Sequence, residues 1–327
     1  MKWGILGTAS IATRSVMPAI RDVEGNKLVA VASRTRGKAD AVATAFGIDG
    51  LGAYEALLDR SDVDAVYIPL PNSMHFEWVM KALEAGKHVL VEKSAFVTLE
   101  EAEAAVALAR KRQLAIVENF QFQHHSQHRA VRHLMDEGAI GAVRAFRASF
   151  GFPPFGGSQN IRYDRALGGG ALLDAGAYTL KAAQFMFGRD FEVQAAHMAH
   201  NDDYDVDWFG GAFLVNHERG VFSELAWGFD NFYQCNYEIW GATGKITATR
   251  AYTANPDFKP VLILEQAGGM QQIELEADDH FQNMLLHFNF LVERGRIEEE
   301  FQNILSQSKV IDDVRRMGIA SLNRFRG

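Results

Sequence analysis

The feature that most constrains the fold lies at the start of the chain, where an apolar segment at residues 3–6 leads through a glycine into a helical pattern at residues 10–22. The connecting residues read Gly7-Thr8-Ala9-Ser10-Ile11-Ala12. They match the dinucleotide fingerprint G-x-G-x-x-G, with alanine at its second and third glycines. Because a helix N-terminus also offers backbone N–H groups to phosphate, these six residues predict a cofactor-binding turn. The alternative is an ordinary strand–turn–helix.

Short apolar runs alternate with helical patterns through the first 118 residues. Strands are predicted at residues 3–6, 28–33, 65–69, 88–92 and 114–117, and helices at residues 10–22, 37–46, 74–85 and 99–112. Strands separated by helices indicate βαβ units and a parallel sheet that is covered on both faces. We therefore predict an α/β fold with a dinucleotide-binding Rossmann domain, a doubly wound parallel sheet, over residues 1–118.

The pattern changes after residue 118. Helices are predicted at residues 126–138, 280–294 and 297–317, a strand at 143–152, a loop at 153–157, and a helical segment opened by the glycines at 168–170. Several longer strands are predicted between residues 191 and 276, with turns at 210–211, 218–220 and 241–244. Residues 119–327 are therefore predicted to form a second, α+β domain with a largely antiparallel sheet.

Composition excludes several classes of protein. The 327 residues include 33 Lys and Arg against 41 Asp and Glu, so the formal net charge of -8 lacks the basic excess of a general nucleic-acid binder. A single cysteine, Cys235, excludes an intrachain disulfide framework. No apolar run reaches the ~20 residues of a membrane helix, and Met1 leads directly into the first strand without a leader. We expect a soluble, cytoplasmic protein with no nucleic-acid or membrane partner.

A histidine-rich segment invites a metal interpretation, since His124 and His128 are four residues apart. Neither a carboxylate spaced as in H-E-x-x-H nor a cysteine accompanies them. We expect no metal site. The aromatic series Trp227, Phe229, Phe232, Tyr233, Tyr237 and Trp240 favours packing within the sheet, with an oligomer face or a sugar platform as alternatives.

The residues at the end of the second predicted strand indicate whether NAD(H) or NADP(H) is bound. NAD-binding proteins usually place an acidic residue there, ~20 residues after the fingerprint, to hold the ribose hydroxyls. This chain has Ser33-Arg34-Thr35, with Lys38 close by. Hydroxyls and a guanidinium would hold a 2′-phosphate that a carboxylate would repel. The sequence therefore favours NADP(H), with NAD(H) possible if Arg34 is only a solvated surface residue.

Two further strand ends carry polar side chains. Residues 69–75 read Pro69-Leu70-Pro71-Asn72-Ser73-Met74-His75, and the next strand ends in Glu92-Lys93. Ligands of parallel α/β sheets bind at the carboxyl ends of the strands. We therefore expect the cofactor site to include Pro69, Leu70, Asn72, His75, Glu92 and Lys93. Lys93 could instead be a surface lysine that flanks a helix.

A glycine-rich block in the second half ends in Asp174 and Tyr178, which are four residues apart on a predicted helix and so share a face. A tyrosine can donate a proton if its pKa of ~10 is lowered, and a nearby ammonium lowers it. An ordinary capped helix is the alternative.

Together these residues resemble the glucose–fructose oxidoreductase, inositol dehydrogenase and rhizopine-catabolism (Gfo/Idh/MocA) family of NAD(P)-dependent sugar oxidoreductases, over essentially the whole chain. The resemblance rests on the fingerprint, on Pro69 and residues 72–75, on Glu92-Lys93 and on residues 168–178. It implies a Rossmann domain followed, over residues 119–327, by an α/β domain for substrate binding and oligomerisation. This second domain is expected to have a large, mostly antiparallel open sheet, whose exposed face commonly makes the oligomer contact. We therefore expect a homo-oligomer, a dimer or a tetramer.

The resemblance also implies roles for individual residues. The family's Glu-Lys-Pro motif matches Glu92-Lys93, with the lysine near the substrate and the nicotinamide, but Ser94 stands at the position of the proline. Tyr178, where many members have histidine, resembles the dihydrodiol and xylose dehydrogenases and the nucleotide-sugar 3-ketoreductases. Arg162 resembles an arginine that often lies near the cofactor in those branches.

These implications give a mechanistic hypothesis. A hydride moves between the nicotinamide and the carbon of a sugar carbonyl or alcohol, in a free or a nucleotide-linked sugar. Tyr178 gives or takes the hydroxyl proton, Lys93 lowers the pKa of Tyr178, and Asp174 orients the sugar or joins the proton relay. Two alternatives stay open. One is a cofactor-retaining enzyme without net redox change, a redox-elimination glycosidase or an isomerase, and the other is a catalytically silent dinucleotide-binding sensor.

Overall fold

The computed structural model describes residues 1–156 and 160–325, with side chains up to residue 318. The chain divides into two compact units. Residues 1–119 and 281–305 form the first unit, and residues 120–280 together with those from 306 onward form the second. The division expected from the sequence places residues 281–305 in the second domain, whereas here they belong to the first unit.

The first unit is built on a parallel sheet. Its strands are β1 (Lys2–Leu6), β2 (Lys27–Ala32), β3 (Asp49–Leu51), β4 (Ala65–Ile68), β5 (His88–Glu92) and β6 (Ile116–Asn119). Between them lie α1 (Met17–Asp22), α2 (Arg36–Phe46), α3 (Tyr54–Leu58), α4 (Asn72–Glu84) and α5 (Leu99–Arg112). Every pairing is parallel, and the strand order is β3-β2-β1-β4-β5-β6. The direction of winding reverses between β1 and β4, so the carboxyl ends of these two strands flank the ligand-binding crevice of such sheets.

Both faces of this sheet are buried, as the apolar character of its strands predicts. On one face, α4 and α5 pack on Val66, Ile68 and Val89. On the other, Trp3 packs against Phe288 with ring centroids 4.8 Å apart. Residues 281–305 therefore complete the core of the first unit, which explains why they do not belong to the second.

The second unit is built on a mostly antiparallel sheet. Its strands are β7 (Val143–Gly151), β8 (Glu192–Asn201), β9 (Val206–Asn216), β10 (Val221–Gly228), β11 (Gln234–Gly241), β12 (Gly244–Ala248), β13 (Val261–Gln266) and β14 (Gly269–Glu274). Helix α6 (Gln127–Asp136) precedes β7, and helix α7 (Ala177–Phe187) precedes β8. The order is β14-β13-β12-β11-β7-β10-β9-β8, and only β7 and β10 pair in parallel. The predicted fold class is confirmed.

Alternation along the strands gives this sheet two different faces. On β10 and β11, Leu225, Trp227 and Tyr237 are buried, and α7 packs against β7 and β10. On the opposite face, Phe213 and Trp240 are exposed. An open sheet with one covered face and one apolar uncovered face follows directly from this period of two.

The last two helices are α8 (His280–Arg294) and α9 (Glu298–Phe325). Residues 298–305 of α9 belong to the first unit, and its later residues belong to the second. None of the helices among the described residues combines the length and the apolar character that a membrane span requires.

The structure differs from the local expectations at two points. It contains β3 and α3, which are not among the elements predicted from the sequence. Gly210 and Gly211 lie inside β9 and are not a turn. A Cβ at Gly211 would stand 2.8 Å from the Leu225 carbonyl oxygen, so glycine at this position allows the two strands to pack closely. The predicted loop at residues 153–157 ends in Gly157, which lies outside the described residues.

Candidate active site

The turn after β1 has the geometry that its glycine permits. Gly7 has a φ of 127°, which side chains rarely adopt, and its N–H donates to the Ala32 carbonyl at 2.9 Å. A Cβ at Gly7 would lie 3.1 Å from Leu70 Cδ2 at the end of β4. Ala12, at the third fingerprint position, is fully buried. The turn therefore holds the ends of three strands close together and directs a helix N-terminus at their carboxyl edge, which fits a dinucleotide pyrophosphate.

The end of β2 carries the residues predicted to select the cofactor. Ser33 is buried, and its Oγ accepts a hydrogen bond from the Thr35 N–H at 3.3 Å. Arg34 and Lys38 are exposed. Arg36, by contrast, pairs with Asp40 at 2.8 Å. Residues 33–35 thus present a guanidinium and hydroxyls without a carboxylate, which suits an adenosine 2′-phosphate.

The end of β4 is tied to the end of β5 through His75. This imidazole is completely buried on α4, with Nε2 2.7 Å from the Leu70 carbonyl oxygen and Nδ1 2.8 Å from the Ser94 carbonyl oxygen. Burial is the main cause that lowers the pKa of His75 to about 4, so the ring is neutral near pH 7. His75 thus connects the Leu70 segment to the Ser94 segment, and its predicted place in the cofactor site stays a prediction. Pro69 is also buried, whereas Asn72 is partly exposed.

Glu92 joins three neighbouring strands at their carboxyl ends. Its Oε1 accepts hydrogen bonds from the Tyr67 hydroxyl on β4 at 2.5 Å and from Asn119 Nδ2 on β6 at 2.6 Å. Burial raises the pKa of Glu92, and these two hydrogen bonds oppose that rise. Glu92 therefore acts within the protein as a brace for the strand end that precedes Lys93.

The loop that carries Lys93 is held on both sides. His75 binds its Ser94 carbonyl, and Glu118 Oε1 on β6 accepts the Ala95 N–H at 2.9 Å. The peptide bond between Lys93 and Ser94 is cis. Glu118 was missed by sequence reasoning, although a carboxylate inside the apolar run of β6 is a usable signal, since buried acids need partners.

In the second unit, the glycine-rich block is anchored to the segment before it. The N–H of Gly169 donates to the Asp164 carbonyl and that of Gly170 to the Arg162 carbonyl, both at 2.9 Å. Arg162 Nε donates to Asp174 Oδ2 at 2.7 Å, and this ion pair is mostly buried. The structure therefore brings together Arg162 and Asp174, two candidates that the sequence suggests on separate grounds.

Tyr178 lies on the first turn of α7 inside an aromatic enclosure. Its ring centroid is 5.2 Å from Phe150, 5.4 Å from Phe120 and 5.7 Å from Tyr252. Gln121 Nε2 approaches the Tyr178 hydroxyl at 3.4 Å. Residues Leu172–Gly176 form a π-turn before α7, so the regular α-helical spacing expected between Asp174 and Tyr178 does not apply.

Asp207 on β9 is a second residue that sequence reasoning missed. Its Oδ2 accepts the Leu172 N–H at 2.6 Å, at the start of the helical segment that carries Asp174 and Tyr178. Burial raises the pKa of Asp207, and the hydrogen bond from Leu172 lowers it. No local pattern identifies this residue, because β9 is more than thirty residues away in sequence.

Three histidines of the second unit, His125, His128 and His280, are buried. His128 Nδ1 lies 2.8 Å from the Tyr237 hydroxyl, and the rings of His125 and His280 are 5.7 Å apart. Burial lowers the pKa of His128 and of His280 to about 3. Over the described ranges, no three His, Cys, Asp or Glu side chains are grouped so that they could hold a metal ion.

The candidate residues thus form one group in each unit. The first comprises the Gly7 turn, the Arg34 segment, and the braced Glu92 and Lys93 at the edge of a parallel sheet. The second comprises Arg162, Asp174 and Tyr178. A parallel sheet of this order with a glycine turn after β1 is typical of dinucleotide-binding α/β proteins, and here a separate unit with a mostly antiparallel sheet accompanies it.

Comparison with family models agrees with this class. Residues 1–120 match the model described as an oxidoreductase family with an NAD-binding Rossmann fold, and residues 128–247 match the GFO/IDH/MocA C-terminal domain. The chain belongs to the GFO/IDH/MocA family of oxidoreductases.

Relatives cover almost the whole chain. A dTDP-3,4-didehydro-2,6-dideoxy-alpha-D-glucose 3-reductase from Actinomadura kijaniata is 40% identical over 313 residues, 95% of this chain and 94% of the relative. An NADP(+)-dependent D-xylose 1-dehydrogenase from Haloferax volcanii is 32% identical and covers 92% of both chains. The solved 3-ketoreductase of A. kijaniata, in complex with NADP and TDP-benzene, superposes with a TM-score of 0.93 at 40% identity and 97% coverage of each chain.

Proposed function

We propose that this chain transfers a hydride between NADP(H) and the carbonyl or hydroxyl carbon of a sugar, with nucleotide-linked keto-sugars as the favoured substrates. The chain is an NAD(P)-dependent sugar oxidoreductase, and NADP(H) is the favoured cofactor. The observation in this chain that carries the finer proposal is Tyr178, a tyrosine hydroxyl set in an aromatic enclosure beside the Gln121 amide. The relatives named as a 3-reductase and a 3-ketoreductase support the nucleotide-linked substrate.

The first unit fits the cofactor. The Gly7 turn offers backbone to the pyrophosphate, and the exposed guanidinium of Arg34 with the hydroxyl of Thr35 suits the 2′-phosphate. The partly exposed Asn72 and the braced Glu92-Lys93 edge would lie towards the nicotinamide end. When bound, the cofactor supplies or accepts the hydride, and the protein supplies orientation and electrostatics.

We assign the proton to Tyr178. A phenol of ordinary pKa, ~10, is a poor acid–base group near pH 7, so its pKa must fall, and an ammonium nearby lowers it. We propose Lys93 for that role and for a hydrogen bond to the reacting oxygen. Structures of the A. kijaniata 3-ketoreductase include variants with a tyrosine replaced by phenylalanine and with a lysine replaced by alanine or glutamate. The residues changed in these variants are of the same two types as Tyr178 and Lys93, which supports the assignment.

Asp174 and Arg162 are proposed to work as a pair. The guanidinium holds one carboxylate oxygen of Asp174 at 2.7 Å, which fixes the carboxylate on the helix turn before Tyr178. A fixed carboxylate can accept hydrogen bonds from sugar hydroxyls and so orient the ring. Arg162 would then have only its terminal guanidinium nitrogens for the cofactor, because its Nε is bound to Asp174. We therefore propose that the main role of Arg162 is to orient Asp174.

The test is absorbance at the reduced-nicotinamide band. NADPH and NADH are each mixed with the protein and a panel of free keto-sugars and TDP-linked keto-sugars. We expect oxidation of NADPH in preference to NADH, and faster oxidation with TDP-linked substrates. If no member of the panel consumes either cofactor while fluorescence shows that the cofactor binds, the chain acts as a sensor or retains its cofactor without net redox change.

We also propose that the chain forms a homo-oligomer through the uncovered face of its second sheet. Arg147 on β7 pairs with Glu224 on β10 and with Glu238 on β11, and Trp240 is nearly half exposed beside them. The guanidinium of Arg147 lies 5.0 Å from the Trp240 ring centroid. An apolar, aromatic face whose charges are already paired within the sheet is suited to burial against a second copy.

A further inference from the structure

We propose that Arg250 and the aromatic side chains around it form the subsite for the nucleoside diphosphate of the substrate. Arg250 follows β12, and its guanidinium lies 5.2 Å from the Tyr233 ring centroid and 5.6 Å from the Phe258 ring centroid. This inference rests on the proposed function, because it names the part of a nucleotide-linked sugar that the second unit holds.

Strand register places this cluster at the same end of the sheet as Tyr178. Gln234, the first residue of β11, pairs with Gly151, the last residue of β7, so residues 229–233 lie beyond that end. Tyr237 pairs with Ala248 at the end of β12, so residues 249–258 lie beyond the same end. Tyr252 connects the two, since its buried ring lies 5.7 Å from that of Tyr178.

The backbone around Arg250 is fixed. Gln127 Nε2 donates to the Arg250 carbonyl at 3.2 Å, and the Tyr233 hydroxyl lies 3.0 Å from Thr253 Oγ1. The neighbouring turn is tied to β7, because the Asn231 N–H donates to the Phe152 carbonyl at 3.3 Å. The cluster is therefore a formed surface and not a loose loop.

The guanidinium of Arg250, at the centre of this cluster, uses only one of its N–H groups in the hydrogen bonds of the described residues. Arg250 uses Nε for the Thr253 carbonyl at 3.3 Å, and among the residues that the structure describes it forms no ion pair. Asp230 and Asp257 lie in the same two loops, both exposed, and neither pairs with it. A guanidinium with its terminal nitrogens available suits the bidentate geometry of a phosphate group.

The aromatic side chains supply the second half of the recognition. Phe232 is 87% exposed, and Tyr233 and Phe258 are each more than a third exposed. Exposed rings beside a cation match a nucleotide, because a base stacks on an aromatic face while the arginine takes the phosphate. We assign the diphosphate to Arg250 and the base to the ring of Phe232.

The experiment measures binding without requiring turnover. The full-length protein, saturated with NADP, is titrated with thymidine diphosphate, with thymidine and with inorganic pyrophosphate by calorimetry. The variants are Arg250→Leu, Arg250→Lys and Phe232→Ala, and Arg219→Leu, on the turn at the other end of the sheet, is the matched control. NADPH affinity is measured by fluorescence on every variant.

We expect Arg250→Leu to raise the Kd for thymidine diphosphate about 10- to 100-fold, with a smaller rise for Arg250→Lys. Phe232→Ala should weaken binding of thymidine diphosphate but not of pyrophosphate, and Arg219→Leu should change neither. NADPH affinity should be constant. Wild-type affinity in Arg250→Leu, or no binding of thymidine diphosphate by the wild type, overturns the site. Equal loss of NADPH and thymidine diphosphate assigns the cation to the cofactor and overturns it too.

The two proposals fail separately. If free keto-sugars consume NADPH but thymidine diphosphate binding does not depend on Arg250, the subsite is wrong and the oxidoreductase assignment stands. If thymidine diphosphate binds through Arg250 but no keto-sugar consumes NADPH, the subsite stands and the reaction assignment fails. Thermal melting checks folding, and partial recovery of binding in Arg250→Lys separates lost charge from lost structure.

Discussion

The imidazole of His75 and the carbonyl of Ser94 join two loops at the carboxyl edge of the parallel sheet, with Nδ1 2.8 Å from the carbonyl oxygen. The other ring nitrogen lies 2.7 Å from the Leu70 carbonyl oxygen. Both carbonyl oxygens are acceptors and a neutral ring carries one N–H, so the tautomer of His75 decides which of the two accepts its hydrogen bond. Through Ser94, this histidine sets the position of the loop that presents Lys93.

We expect His75→Ala to lower the free energy of unfolding by about 1–3 kcal/mol, because a buried carbonyl loses its donor and a cavity opens. Turnover should fall while the KM for NADPH changes little, since the Gly7 turn is untouched. Urea unfolding and steady-state kinetics measure the two effects. His133→Ala, at an exposed histidine of α6, is the control. Normal turnover in a destabilised His75→Ala would show that the Lys93 loop does not depend on this contact.

Much of the fold could be predicted from local pattern. The bounds of β5 and α5 agree with the sequence prediction because each is marked locally: β5 by an apolar run, and α5 by the Thr98 hydroxyl that accepts the Glu101 N–H at its first turn. β3 escaped prediction because it has three residues, none of them buried. The residues 281–305 were assigned to the other domain because their partners, such as Trp3, are distant in sequence.

The site was predictable where chemistry is local. Gly7, Arg34 and Glu92-Lys93 could be selected because a turn, a strand end or an out-of-place charge marks them. His75, Glu118 and Asp207 act through hydrogen bonds to backbone groups far away in sequence, and no spacing rule encodes such partners. Only the folded chain shows that these side chains position the candidates.

Three buried histidines should make the protein less stable as the pH falls below 6.5. The pKa of His75 is about 4 and those of His128 and His280 are about 3, all lowered by burial from the usual 6.5. Above pH 6.5 both folded and unfolded states are neutral at these groups. As pH falls below 6.5, the unfolded state binds protons that the folded state refuses, so stability falls until the folded pKa values are reached.

Each buried histidine should contribute a slope of about 1.4 kcal/mol per pH unit inside this window. Urea unfolding at pH 7, 6 and 5 measures it. His128→Asn should be less stable at pH 7 but should lose less stability per pH unit than the wild type, whereas the exposed His133→Asn should match the wild-type slope. An unchanged slope in His128→Asn contradicts the neutral, buried state of His128.

Cofactor preference should depend on Arg34. Arg34→Ala removes the guanidinium proposed for the 2′-phosphate, so the Kd for NADPH should rise about 10- to 100-fold while that for NADH stays nearly constant. Fluorescence titration with both cofactors measures the ratio. Arg21→Ala, at an exposed arginine of the same unit, controls for net charge. Equal weakening of NADPH and NADH by Arg34→Ala would assign this residue to a group that both cofactors share.

The association state should depend on the uncovered sheet face. Trp240→Glu places a carboxylate beside Glu238 on that face, so an oligomer that buries it should dissociate towards monomers. Light scattering coupled to size-exclusion chromatography measures the mass of the particle. Leu286→Glu, at an exposed leucine of α8, is the control and should leave the mass unchanged. A constant mass for Trp240→Glu would place the contact elsewhere or show that the chain is a monomer.

The proton assignment can be tested through the pH profile of turnover. Tyr178→Phe keeps the aromatic contacts with Phe120 and Phe150 and removes only the hydroxyl, so folding should be preserved. We expect turnover to fall about 100- to 10,000-fold, as for other acid–base residues, and Lys93→Met to give a loss in the same range. NADPH affinity should persist in Tyr178→Phe, which separates chemistry from binding.

A variant that combines Lys93→Met with Tyr178→Phe tests whether the two residues act together or independently. If Lys93 acts by lowering the pKa of Tyr178, Lys93→Met should shift the basic limb of the wild-type profile upward, and combining it with Tyr178→Phe should cost little more than either change alone. Additive losses would mean that Lys93 acts on the substrate independently. Near-normal turnover in Tyr178→Phe, with a large loss in Lys93→Met, would mean that the Lys93 ammonium and not the Tyr178 phenol is the proton donor. It would overturn the role proposed for Tyr178.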